Sequence, residues 1–187
     1  MLKYKKIQNE TAMDFEYAIL DFIRNNLSTP FGDFLMKYIS LLGNAGIIWI
    51  IASLVLICFK KTRKAGLSSA CALIFSLLLC NLTLKPLIAR IRPYELREGI
   101  ELIISAPKDY SFPSGHSSAS FASAVAIFMS NKKLGMPALV LASVIAFSRL
   151  YLYVHFPTDV LCGALLGSLC GVLGFILVKK AYKKRTA

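Results

Sequence analysis

Histidine is almost missing from this sequence: of 187 residues, only His116 and His155 carry an imidazole. Acidic side chains are scarce as well, ten Asp and Glu against 22 Lys and Arg. No cluster of His, Cys, Asp or Glu has the spacing of metal ligands. No metal and no cofactor is therefore expected, and charge neutralisation falls to arginine and lysine. The five cysteines, Cys58, Cys71, Cys80, Cys162 and Cys170, all lie inside apolar runs. They read as small buried hydrophobes, not as a disulfide or metal framework. The chain shows no repeat of solenoid length and no low-complexity segment. Its basic start, MLKYKKIQNETAMDFE, has no apolar core behind it, so no secretory signal is expected.

What is present in excess is apolar surface. The composition is 56% hydrophobic, with a mean hydropathy of +0.61. Several uncharged runs are long enough for a bilayer, which takes roughly 20 apolar residues per crossing. An integral membrane protein of a single domain, residues 1–187, follows. The net charge of +12 could suggest nucleic acid, but its placement argues against that partner. The clusters KKTRK (60–64), NKK (131–133) and KKAYKKR (179–185) each follow the end of an apolar run, as cytoplasmic flanks do under the positive-inside rule.

The expected architecture is all-α, a polytopic helical bundle of five to six spans. Residues 12–27 place Ala12, Phe15, Ile19, Phe22 and Ile23 on one helical face, with charges largely elsewhere. Such a segment suits the membrane interface better than a crossing. STPFGD then breaks the chain. Residues 38–59 form a long helix or one broken near Gly43 and Gly46. Further spans are expected at 65–84, 117–131, 137–153 and 160–178, and 85–116 forms a polar segment. With KKTRK inside, 85–116 and the stretch from Arg149 to Asp159 both lie on the outer face. Lys3, Lys5 and Lys6 fit this scheme badly, since five spans leave the N-terminus outside; they bind headgroups or a sixth crossing exists. Gly163, Gly167 and Gly171 form a smooth strip for close helix contact.

Both histidines fall at helix ends on that outer face, where ionisable groups are functional candidates. Asp159, four residues after His155, either orients its ring or caps the next helix. Arg149 either joins a site or snorkels. Lys85, Arg92 and Arg149 can together offer three cationic donors, which phosphoryl transfer needs. The turn DYSFPSGHSSAS places cap-forming residues before a helix start, where free N–H groups can hold a phosphate.

Lys85-x6-Arg92-Pro93, then Pro113-Ser114-Gly115-His116, then Ser148-Arg149-x5-His155-x3-Asp159 resembles the three-part signature of the type 2 phosphatidic acid phosphatase (PAP2) family, with every fixed position present in order and spacing. The resemblance implies a metal-independent membrane lipid phosphatase. By position, His155 is the nucleophile forming a phosphohistidine, Asp159 orients it, and His116 is the general acid. Lys85, Arg92, Arg149, Ser114 and the Gly115 amide hold the phosphate. Arg90 and Arg97 stand outside the fixed positions, so lysine is expected to serve at either.

Family members of this kind act on isoprenoid diphosphates, phosphatidylglycerophosphate or phosphatidic acid. Undecaprenyl diphosphate is the first expectation, with the site facing the extracytoplasmic side of the cell membrane and no obligate protein partner. A noncatalytic lipid-phosphate binding or transport protein could use the same basic cluster. A soluble haloperoxidase or acid phosphatase would lack the apolar spans.

Overall fold

The structure, a computed structural model, describes the backbone of residues 2–186 and the side chains of residues 13–184. Nine α-helices order the described residues, with no strand among them: α1 (Leu2–Leu27), α2 (Pro30–Leu42), α3 (Ile47–Cys58), α4 (Arg63–Ser76), α5 (Lys85–Ile88), α6 (Pro93–Leu96), α7 (Gly115–Ser130), α8 (Lys132–Tyr151) and α9 (Pro157–Thr186). The side chains of Lys3, Lys5, Lys6 and Ala12 lie outside the described residues.

The stretches 63–96, 132–151 and 157–184 are long and apolar enough to cross a bilayer. The pair α2–α3, bent by 47°, makes a fourth. Helix α7, 16 residues long, is shorter than the roughly 20 that a span takes and packs among α4, α8 and α9. Length alone therefore accounts for three or four of the five to six crossings expected.

The bundle is apolar outside and small or hydroxylated inside. Leu54, Leu82, Leu161, Leu165 and Leu169 are exposed, whereas Ser53, Ser69, Ser118 and Ser123 are buried. Lipid tails offer helices no hydrophobic reason to associate, so close packing and interhelical hydrogen bonds hold them. Ser69 pairs with Ser123 at 2.6 Å, Ser76 with Ser118 at 2.7 Å, and the Trp49 indole donates to Ser120 at 2.9 Å. The glycine strip of α9 faces α7 as expected. A Cβ on Gly163 would stand 2.6 Å from the Ser114 carbonyl, and one on Gly171 2.8 Å from that of Ala122.

The break expected near Gly43 and Gly46 occurs there. Ala45 (φ 50) and Gly46 (φ 67) are left-handed, and Asn44–Gly46 form a single 3₁₀ turn. Helix α1 ends before Thr29, whose hydroxyl accepts from the Gly32 N–H at 3.0 Å and caps α2.

Helix α1 lies across the loops that precede and follow the long helices. Tyr17 donates to the Pro93 carbonyl at 3.1 Å, and Arg24 to that of Glu101 at 2.9 Å. Its inward row is Glu16, Leu20 and Ile23. Phe15 and Phe22, on the apolar face expected at the membrane interface, are 68% and 62% exposed and point away from the bundle. Glu16 has buried partners and turns the opposite side of the helix inward.

Candidate active site

Each segment reaches one end of the bundle by a local device. After α4 the helix widens into a π segment, Leu77–Leu84, which delivers Lys85 buried at the start of α5. Arg92 is the residue before α6, Ser114 the N-cap of α7, Arg149 falls in the last turn of α8 and Asp159 in the first turn of α9. The chain between α8 and α9 turns through Tyr153, at φ 59, a costly conformation for an aromatic residue. Its hydroxyl donates to Asp21 at 2.8 Å, and the turn aims His155 inward.

Lys85, Arg92, His116, Arg149 and His155 line one cavity of about 480 Å³, together with Asp109. The structure brings these five expected residues together. Asp159 stands behind His155, its Oδ2 3.5 Å from the ring Nδ1. Gly115 lines an adjoining cavity. Ser114 is fully buried; its hydroxyl accepts from Ser117 at 3.0 Å and its N–H donates to the Asp159 carbonyl at 3.0 Å. It ties α7 to α9 and does not reach the cavity wall.

Arg92 Nη1 lies 3.3 Å from His155 Nε2 and donates to the Val154 carbonyl at 2.6 Å. A guanidinium only donates, so the nitrogen facing it carries the lone pair and the ring proton sits on Nδ1, toward Asp159. Burial, joined by the charges of Arg92, Arg149 and Lys85, holds the His155 pKa well below the usual histidine value. The ring is neutral at physiological pH, with a lone pair free on Nε2. Arg149 is buried, its Nη1 on the Ser40 hydroxyl, and its Nε has no hydrogen-bond partner. A buried guanidinium N–H left unmatched is costly, and an anion oxygen in the cavity could match it.

Sequence reasoning missed Asp109. Its carboxylate bridges the two other cations, one oxygen on Lys85 and the other 2.6 Å from Arg92 Nη2. Burial pushes its pKa up, but Lys85 and Arg92 outweigh that and hold it down at about 2. Asn44, at the α2–α3 break, was missed too: its Oδ1 lies 2.9 Å from His116 Nε2. A lone amide between two glycines in an otherwise uncharged run was the available signal. Gly43 permits this approach, since a Cβ there would stand 2.6 Å from the His116 ring.

Arg90 makes contacts that the motif spacing did not suggest: Nη1 meets Asp159 Oδ1 at 2.7 Å, and Nη2 pairs with buried Glu16. The motif spacing masked it, because its partners lie in segments remote in sequence. Arg97 pairs with Asp21 at 2.6 Å, away from Asp159.

A second cavity, about 580 Å³, shares Lys85, Asp109 and His116 and runs between α3 and α4 past Ile50, Leu54, Leu73 and Leu77. It joins a cationic end to an apolar groove.

Asp109 occupies the cations that an incoming anion would use. Asp109→Asn is expected to lower the inhibition constant for inorganic phosphate roughly tenfold, about 1.4 kcal/mol. An unchanged or higher constant would show that Asp109 braces the cations and does not compete for them.

Comparison with known proteins points the same way. The sequence model of the PAP2 superfamily matches residues 66–183. The undecaprenyl-diphosphatase of Sulfolobus acidocaldarius is 31% identical over 166 residues, 88% of this chain and 79% of that protein. The crystal structure of Aquifex aeolicus LpxE is similar with a TM-score of 0.72 and 26% identity, over 84% of this chain and 93% of that one. That of the transmembrane PAP2-type phosphatidylglycerolphosphate phosphatase from Bacillus subtilis gives 0.70 and 28%, over 93% and 87%.

Proposed function

This chain belongs to the PAP2 superfamily of membrane lipid phosphatases, and we propose that it hydrolyses undecaprenyl diphosphate through a phosphohistidine, within a single membrane-embedded catalytic domain. The observation that carries the chemistry is the neutral, lone-pair nitrogen of His155 facing buried cations in one cavity. The likeness to an undecaprenyl-diphosphatase favours the isoprenoid diphosphate. The likeness to a phosphatidylglycerolphosphate phosphatase makes that lipid, with phosphatidic acid, the second reading.

The terminal phosphoryl group displaces the Asp109 carboxylate from Lys85 and Arg92, and the unpaired Nε of Arg149 takes a further oxygen. The first amides of α7, at Gly115 and His116, have no intrahelical acceptor and add donors. His155 Nε2 attacks the terminal phosphorus as its bond to the bridging oxygen breaks, and undecaprenyl phosphate leaves through that oxygen. Burial and the Arg149 charge hold the His116 pKa at about 2; the incoming phosphate offsets those cations, so the ring gains a proton, passes it to that oxygen and becomes neutral again. Water then attacks the phosphohistidine and His116 takes its proton. The P–N electron pair returns to His155, and phosphate leaves. Asp159, on Nδ1, balances the positive charge the ring carries between the two steps. Lysine and arginine neutralise the phosphate throughout, so the reaction needs no metal. The lipid tail lies in the groove between α3 and α4.

Purified protein is expected to release phosphate fastest from undecaprenyl diphosphate in a panel with phosphatidylglycerophosphate and phosphatidic acid. A faster rate on either phospholipid would replace the isoprenoid as substrate, and release from none would remove the lipid phosphatase reading.

The site is proposed to face the extracytoplasmic side. Exposed Ser105 and Lys132 mark the two ends of the bundle. In a background lacking the five native thiols, cysteine at 105 is expected to react with an impermeant reagent in intact cells, and cysteine at 132 is not. The reverse pattern would place the site in the cytoplasm.

A further inference from the structure

Asp159 is fully buried, and a buried carboxylate is tolerable only with a cation and hydrogen bonds around it. Its Oδ2 accepts from the Phe156 N–H at 2.8 Å and from the Ser111 hydroxyl, and faces His155. Its Oδ1 meets Arg90, the cation paired with it among the described residues. The same guanidinium stacks 4.0 Å from the Phe156 ring centroid and gives its other arm to Glu16. Glu16 in turn accepts the Thr158 N–H at 3.1 Å and the Thr158 hydroxyl, and so caps the start of the helix that carries Asp159.

From this arrangement we infer that Glu16 and Arg90 are positioning residues for phosphoryl transfer, acting through Asp159. The inference rests on the reading of His155 as the nucleophile.

Two physical effects combine. The first is geometric: Arg90 fixes Oδ1, so the carboxylate cannot rotate and Oδ2 stays on the His155 side. A planar fork can span Asp159 and Glu16 at once, which a point ammonium cannot. The second is charge. Arg90 alone with Asp159 would make a neutral pair, with little left to balance a cationic phosphohistidine. Glu16 adds a second carboxylate, so the cluster carries one net negative charge beside the ring. Burial strengthens that effect, because little water intervenes to screen it.

The test separates phosphoryl transfer from anion binding, since Lys85, Arg92 and Arg149 hold the phosphate while Glu16 and Arg90 touch none of it. In rapid-quench experiments with undecaprenyl diphosphate labelled at its terminal phosphorus, Arg90→Lys is expected to slow phosphoenzyme formation roughly thirtyfold and Glu16→Gln roughly tenfold. The inhibition constant for inorganic phosphate is expected to stay within about twofold in both. Arg24→Lys loosens another tie of α1, to the Glu101 carbonyl, and is expected to leave both quantities near wild type. A merely structural tether would show rate and phosphate inhibition falling together, in Arg24→Lys as in the other two, and would overturn the inference. So would unchanged phosphoenzyme rates in Arg90→Lys and Glu16→Gln. Absence of any phosphoenzyme in the wild type would instead remove the nucleophile reading, and this inference with it.

Discussion

His155→Ala is expected to yield no covalent phosphoenzyme with any substrate and to lose hydrolysis of lipid and p-nitrophenyl phosphate alike. The ring nitrogen that faces the cations is the only atom assigned to bond phosphorus, so no choice of leaving group can replace it. His116→Ala is expected to behave differently. A lipid phosphomonoester leaves as a strongly basic alkoxide and needs a proton, whereas p-nitrophenolate departs without one. The His116 variant should therefore lose phosphoenzyme-formation rate severely with phosphatidic acid and only modestly with p-nitrophenyl phosphate. The measurement is acid-labile, base-stable phosphate on the protein after rapid quench. Its persistence in His155→Ala would move the nucleophile elsewhere, and equal losses for both substrates in His116→Ala would remove the acid.

Arg149→Lys is expected to lower kcat/KM by tenfold to a thousandfold, about 1.4–4 kcal/mol of transition-state stabilisation. The buried guanidinium already spends one arm on Ser40 and keeps Nε without a partner. Lysine can serve the serine or the phosphate but cannot span both. Arg92→Lys is expected to lose a similar amount, because one guanidinium reaches the Val154 carbonyl, His155 and Asp109 together. A loss below threefold at either position would mean that charge alone, not a fork, is what the pocket requires.

What could be read from the chain was local. Lys85, Arg92, Arg149 and His155 announce themselves by short fixed spacings and by charge at the edges of apolar runs. The glycine strip of α9 and the break at Gly43 follow from backbone sterics within a few residues. The contributors that escaped depend on how remote segments fold together. Glu16 is 74 residues from Arg90, and nothing in the order of α1 tells that one of its acids is buried. Asp109 stands within the most recognisable stretch of the chain, but its bridge between two cations comes from the fold of the preceding loop. The number of crossings was also unsettled by pattern, because α7 owes its place to helices packed around it more than to its own length.

The Asp109 bridge bears on how such a site survives in its own solvent. The bilayer surface is crowded with phosphodiester headgroups, each a monoanion, at far higher concentration than any single substrate. Bare lysine and arginine inside the cavity would be silted up by them. With one carboxylate already seated on Lys85 and Arg92, a diester would exchange one negative charge for another and gain nothing electrostatically. A terminal phosphate brings close to two charges at neutral pH and three free oxygens, so it alone improves on the resident acid. Under the proposed function the internal anion would act as a threshold, set between the charge of the background lipids and that of the molecule to be cleaved.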